Sequence, residues 1–192
     1  MTFRRGAVCA TLALGLVSSA AAVGHGKPKA RKPAGADLPS RELVQLTTDC
    51  IEQTATSPAL ASASRQFRGK LCACAVDHER MQRLVGKPAA PLLDDAAVAT
   101  TCLAFAKKYE ASPATGSPFA TSLRFHTDQL AGGFLGCFDG MTEAAPTLAA
   151  TKVADYCVCF VDRLRGKPGP AAKAIAKING SDERFCQRAA KL

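Results

Sequence analysis

Leu71-Cys72-Ala73-Cys74-Ala75-Val76-Asp77 and Tyr156-Cys157-Val158-Cys159-Phe160-Val161-Asp162 carry one pattern twice. A lone cysteine precedes each CxC pair, Cys50 or Cys137, and another follows it, Cys102 or Cys186. The intervals are 22, 2 and 28 residues in the first set and 20, 2 and 27 in the second. Arg80 and Arg165 each stand three positions after the shared aspartate. Gly86-Lys87-Pro88 and Gly166-Lys167-Pro168 follow the CxC segments, and Lys107 and Lys191 lie five residues past the last cysteines. Agreement at so many places points to an internal duplication.

Helical spacing surrounds these cysteines. Phe67, Leu71, Cys74, His78, Met81 and Val85 recur in steps of four and three. Gly86 is placed to end that helix in the left-handed conformation, and Pro88 stops its continuation. Leu43, Thr47, Cys50, Ile51 and Thr54 predict a preceding helix with Ser40 as N-cap. Val98, Cys102, Phe105 and Tyr109 predict a following one. Asp94 and Asp95 at its start and Lys107 and Lys108 near its end suit the helix dipole. In the second set, a long helix opening at Ser117-Pro118 aligns Phe119, Leu123, His126, Leu130, Phe134, Cys137 and Met141. Gly132, Gly133 and Gly136 weaken it by about 1 kcal/mol each relative to Ala. They either admit a closely packed neighbour or break the helix. Val153, Cys157, Phe160 and Leu164 mark the second CxC helix, and a short helix from about Ser181 holds Phe185 and Cys186. The chain has no Trp and two Tyr, and β-branched residues are scarce, which disfavours sheet. The expectation is an all-α fold of two tandem disulfide-stapled repeats, about three helices each.

Residues two apart on a helix point about 200° apart. The sulfurs of one CxC pair therefore face different neighbours and are poorly placed to bond each other. Each central helix is expected to be tied to the helix before it and the helix after it. In the first set this leaves Cys50–Cys74 with Cys72–Cys102, or Cys50–Cys72 with Cys74–Cys102, and spacing does not choose between them. A repeat of roughly 70 residues with an Ala-rich core is marginal by itself. A bridge closing a loop of about 25 residues contributes on the order of 3 kcal/mol in the chain-entropy model.

The chain begins as an exported protein does. Arg4 and Arg5 precede an apolar run from Gly6 to about Val17, and Ala20-Ala21-Ala22 fits a cleavage site before Val23. That run is too short to span a bilayer, and no longer one follows, so no transmembrane segment is expected in the mature chain. Cys9 leaves with the signal peptide, residues 1–22. The net charge of +9 falls to +7 once Arg4 and Arg5 are removed, and eight cysteines remain, an even number that suits an oxidising compartment. Residues 23–37 read as a basic, disordered leader rich in Lys, Arg, Pro and Gly. Repeat one then runs over 38–111, a linker over 112–116, and repeat two over 117–192.

A lone Cys, then Tyr-Cys-x-Cys with an apolar residue and a Lys or Arg shortly after, then a last Cys, resembles small exported proteins of Gram-negative bacteria. The match is closest at Asp155-Tyr156-Cys157-Val158-Cys159-Phe160-Val161, whereas the first set has Leu71 in place of the Tyr. Those proteins usually have one such unit, and this chain has two. The resemblance implies export and a helical disulfide fold, and it implies no activity.

The residues suggest four chemistries. Cys72, Cys74 and His78 could ligate a soft metal such as copper or zinc, since thiolates select soft ions and His78 lies one turn after Cys74. The second set has Arg163 where the first has His78, so structural disulfides are preferred. Thiol–disulfide exchange typically uses CxxC in an α/β setting, which is absent. There is no GxSxG, HExxH or recognisable pair of catalytic acids. His25 lies in the leader, His126 on an apolar stripe, and Asp128 is directed away from His126. Asp77 and Asp162, each with an Arg three residues on, read as surface helix pairs. The basic clusters Lys27, Lys29, Arg31, Lys32 and Lys167, Lys173, Lys177 could attract anionic lipid, acidic polysaccharide or nucleic acid. A solvated surface is the preferred reading, and nucleic acid is disfavoured because no aromatics are interleaved. The sequence thus predicts no catalytic residue and no cofactor. It predicts eight structural cysteines, Cys50, Cys72, Cys74, Cys102, Cys137, Cys157, Cys159 and Cys186. The expected role is that of a periplasmic or secreted, non-enzymatic binding protein, such as an inhibitor or immunity-type protein that docks on another exported protein. The alternative is a soft-metal binding protein using the CxC pairs.

Overall fold

The structure, a computed structural model, describes residues 36–88, 90–111 and 116–192. The signal peptide, most of the leader and most of the linker lie outside the described residues. Those residues are all-α, with seven helices and no strand among them. The helices are α1 (Ser40–Thr56), α2 (Arg65–Leu84), α3 (Ala96–Ala111), α4 (Thr127–Ala144), α5 (Ala150–Gly166), α6 (Ala171–Ile175) and α7 (Gly180–Ala189).

The two CxC helices are the central rods. α2 packs against α1, α3 and α4, and α5 packs against α4, α6, α7 and α1. Ser64 caps α2 by accepting from the Phe67 amide at 3.0 Å, and Gly86 closes it with φ +77°. Asp95 accepts from the amides of Ala97 and Val98 at the start of α3. Asn179 does the same for α7, accepting from Ser181 and Asp182. Two buried hydroxyls of α1 bond back to their own helix, Thr47 to the Leu43 carbonyl and Thr54 to the Cys50 carbonyl, each at 2.8 Å.

Burial divides into two apolar clusters. One has its buried members on α2 and α3, Phe67, Leu71, Val98 and Phe105 among them, with Leu60, Leu92 and Phe119 from the connecting segments packed against it. The larger joins Leu38, Leu43, Val44 and Val76 to Phe125, Leu130, Phe134, Val153, Tyr156, Val161 and Leu164. The N-terminal helix α1 and the C-terminal helices therefore share one core.

Three local expectations are overturned. Ser40 is not the cap of α1; it is the first residue of the helix, after Pro39, and its hydroxyl accepts from Arg165 instead. The long helix expected from Ser117 begins only at Thr127. Residues 117–123 form two successive turns, Ala120 to Ser117 and Leu123 to Ala120, each closed at 3.0 Å. Of the expected stripe in this segment only Leu123 is buried, Phe119 and His126 being half-buried, and the turns bury Ala120 and Phe125, which the stripe did not include. The cause lies in the hydrogen bonds: the Phe125 carbonyl is taken by Arg80, and the His126 amide donates to Gln129 Oε1. Finally, Gly132, Gly133 and Gly136 neither break α4 nor admit a close neighbour, since a Cβ at each would meet nothing within 4 Å.

Candidate functional site: a groove beside a buried ionic junction

The eight cysteines pair as Cys50–Cys72, Cys74–Cys102, Cys137–Cys157 and Cys159–Cys186. In both sets the first cysteine of the CxC pair reaches back to the preceding helix and the second reaches forward. Of the two connectivities left open by spacing, the structure has the second. Cys72 and Cys74 are thereby bonded to sulfurs on α1 and α3. His78 is occupied elsewhere, its Nε2 2.9 Å from Gln82 Nε2 and its ring edge-on to Phe119. The soft-metal grouping of Cys72, Cys74 and His78 is not assembled. Among the described residues no cluster of three or more His, Cys, Asp or Glu is placed to hold a metal.

Asp77 and Arg80 correct a further expectation. They are not a surface pair: Asp77 is 0% exposed and Arg80 1%. Asp77 Oδ1 accepts from the Thr127 amide at 2.8 Å and from the Thr127 hydroxyl at 2.6 Å. The amides of a helix's first turn have no partner within the helix, so a carboxylate on α2 supplies one for α4. Arg80 Nη1 donates to Asp77 Oδ1, to the Phe125 carbonyl and to Thr127 Oγ1. Its Nε and Nη2 grip both oxygens of Asp37, at 2.8 and 2.7 Å. Arg165 reaches the same carboxylate, with Nη2 2.7 Å from Asp37 Oδ2, and its Nη1 donates to the Leu38 carbonyl and to Ser40 Oγ. The two arginines at matching positions thus converge on one acid. Burial pushes the Asp77 carboxyl up, and the Thr127 hydrogen bonds and the Arg80 charge only partly offset this. Burial also acts upward on Asp37, but its bond to Arg80 and the charges of Arg80 and Arg165 outweigh it and hold that carboxyl below its usual range. Charge-assisted, bidentate pairing of this kind satisfies buried ions and fixes geometry. Asp77 Oδ2 is left buried without a hydrogen-bond partner, and the other carboxylate oxygens are taken up in joining helices.

The open site lies where α1, α2 and α4 meet. A groove of about 400 Å³ is floored by Ile51, Ala131 and Leu135 and rimmed by Arg65, Lys70, Asp128 and Asp139. A smaller hollow of about 260 Å³ continues it, sharing Ile51, Arg65 and Leu135 and adding Glu52 and Arg68. Gly69 and Gly132 form its walls. A Cβ at Gly69 would meet only Ile51 Cδ1, at 4.0 Å, and one at Gly132 would meet nothing. The groove therefore exists because two helical positions lack side chains, each at a helix-propensity cost of about 1 kcal/mol.

Polar groups at the rim are incompletely satisfied. Lys70 Nζ sits 2.8 Å from Asp128 Oδ2 and 3.7 Å above the centre of the Tyr109 ring. Burial by itself lowers the Lys70 pKa, but the bond to Asp128 and the contact with Tyr109 leave it raised. A lysine that serves as base or nucleophile needs a depressed pKa, so Lys70 is a fixed cation. Asp128 Oδ1 and Arg68 Nε are buried without a hydrogen-bond partner. Buried polar atoms are normally paired, so each such exception calls for a reason. The sequence reading treated Asp128 only in relation to His126 and missed Lys70, Arg68 and the groove glycines. Helical glycines with no packing role were the one legible hint.

Comparisons with protein-family models, with curated proteins and with solved structures returned no match. Four disulfides suit an oxidising, non-cytoplasmic compartment, and among the described residues no helix is long and apolar enough to cross a membrane.

Proposed function

We propose that this chain is a periplasmic or secreted, non-enzymatic binding protein that holds an apolar segment of another exported protein in the groove between α1, α2 and α4. The observation that carries the reading is the groove itself: an apolar floor and a wall opened by Gly132. An apolar side chain would lie over Ile51 and Leu135. Arg65 and Arg68 favour acidic residues flanking that segment. Helices fixed by disulfides lose little freedom on binding, which favours affinity. An inhibitor or immunity-type role is the concrete form of this proposal.

The test uses the Gly132→Leu variant, whose Cβ meets nothing within 4 Å and whose side chain would occupy the groove. The wild-type chain, cross-linked in a periplasmic extract, is expected to capture one protein partner. G132L, with an unchanged circular dichroism spectrum and melting temperature, is expected to lose at least 90% of that capture, as about 1.4 kcal/mol per tenfold in affinity requires. Equal capture by both, or no partner for either, overturns the proposal.

A further inference from the structure

Charge is unevenly distributed along this chain. Residues 163–192 hold eight Lys and Arg against Asp182 and Glu183, a net of 8 − 2 = +6. Residues 38–162 hold eleven Lys and Arg against thirteen Asp and Glu, a net of 11 − 13 = −2. One of the two acids in the C-terminal stretch is already neutralised inside the fold. Asp182 is buried, with Arg163 at 2.7 Å and Lys167 at 2.6 Å. Glu183 is its one exposed acid, against exposed Lys173, Lys177, Arg184, Arg188 and Lys191 in the same stretch.

Exposed apolar residues occur in the same stretch. Ile175 is 60% exposed and Phe185 48%. On α7, Asp182 and Cys186 are buried. At 100° per residue, Arg184 and Arg188 then point away from the core, and Phe185 stands one helical turn before Arg188. Arg163 lies over the Phe185 ring with its guanidinium carbon 5.1 Å from the centre. On α6, Ala174 is fully buried against α5 and leaves Lys173 and Ile175 outside. Lys177 returns to the Pro168 carbonyl at 3.0 Å, beside Lys167. Exposed cations accompany Ile175 on α6 and Phe185 on α7, and both helices pack on α5, whose end reaches α7 through Arg163 and Lys167 and the turn after α6 through the Pro168 carbonyl.

We propose that this face docks the protein on an anionic lipid bilayer. The Lys and Arg side chains meet headgroup phosphates, and Phe185 and Ile175 enter the boundary between headgroups and acyl chains. Each cation near an anionic surface strengthens binding about fivefold, and salt screens the effect. A buried phenyl or sec-butyl group adds an apolar contribution that salt does not weaken. Phe185 offers a stacking face, but Ile175 does not and gains only from an apolar phase, which favours lipid over a nucleic acid. The groove at α1, α2 and α4 takes no part in the contact and remains free for a protein partner.

The test is co-sedimentation of the disulfide-bonded chain with vesicles of phosphatidylglycerol and phosphatidylethanolamine, with phosphatidylcholine vesicles as the neutral control. Binding to the anionic vesicles is expected at low salt, at least tenfold above the control, and it should weaken as salt rises. Lys173→Glu with Arg188→Glu, two exposed positions, should lower it at least tenfold. Ile175→Ser with Phe185→Ser should lower it severalfold at unchanged charge. Equal binding to neutral vesicles, or no binding, overturns the proposal. Retention of binding by the K173E/R188E protein also overturns it and assigns the attraction to the basic leader. Insensitivity of I175S/F185S, together with equally tight binding to a DNA duplex, overturns it in favour of a general polyanion contact.

Discussion

Asp77 and Asp162 each stand three residues past a CxC pair, and each has an arginine three residues further on, yet their surroundings are opposite. Asp77 and Arg80 are sealed from solvent, while Asp162 is exposed and Arg165 is half-buried. The cysteine pairing is the same in both places. Each CxC helix packs on the first helix of the other half, α2 on α4 and α5 on α1, but only the α4 contact covers the aspartate. That contact brings the unpaired amide of Thr127 to Asp77 and the Phe125 carbonyl to Arg80. Matching sequence positions share a local scaffold, but which face is covered depends on the partner helix. The first Asp–Arg pair has become a joint between distant parts of the chain, and of the second pair only Arg165 joins it.

The sharpest way to break this comparison is to remove each arginine. Arg80→Ala leaves the buried Asp77 without its counter-ion and should cost about 3–5 kcal/mol of stability. Arg165 is partly solvated, so Arg165→Ala should cost about 1–2 kcal/mol. Urea denaturation of the two variants measures both, and equal losses would refute the asymmetry.

Disulfides should show the opposite behaviour, with the two halves alike. Cys50–Cys72 and Cys137–Cys157 span 22 and 20 residues. Replacing either pair by serines should cost about 3 kcal/mol, because loop-closure entropy depends only weakly on length. A loss confined to one half, seen in thermal melts under non-reducing conditions, would mean that the bridges serve different purposes.

The smallest effect concerns acid. Lys167, bonded to Asp182, outweighs the upward push of burial, and Arg163 and the Asn179 amide add to it, so the Asp182 carboxyl is lowered to about 2. A lowered carboxyl stabilises the fold above its ordinary pKa of 3.8, and that contribution disappears as pH falls towards 2. Asp37 acts in the same direction. Asp77 acts oppositely: its raised pKa means that its share of stability is present in acid and lost as pH rises. Asp182→Asn should therefore flatten the fall of melting temperature between pH 4 and pH 2, and an unchanged slope would show that other groups control it.

The helices were legible because period and spacing are local properties. The stripe from Phe67 through Leu71 to Cys74, the left-handed Gly86 and the acidic start of α3 could be read directly, whereas Val85, assigned to the same stripe, lies past the helix end and is exposed. The connectivity was not, since both arrangements satisfy the CxC angle. Asp77 was misread although a signal existed: Leu71 to Val76 is apolar around the whole helix, and such a helix is buried on all sides. Tyr156 to Val161 carries the same signal, yet Cys159 and Phe160 remain half-exposed, so the hint could not have separated the two halves. Asp37 was assigned to the leader because nothing in its own neighbourhood in the chain announces two distant arginines. The groove depends on where α1, α2 and α4 meet, and no one of these helices encodes it alone.

The most direct test is a disulfide map of the unreduced chain by proteolysis and mass spectrometry. The account predicts peptides linking Cys50 to Cys72, Cys74 to Cys102, Cys137 to Cys157 and Cys159 to Cys186, with no free thiol among these eight. Crossed pairs such as Cys50 with Cys74, or free thiols at either CxC, would contradict it.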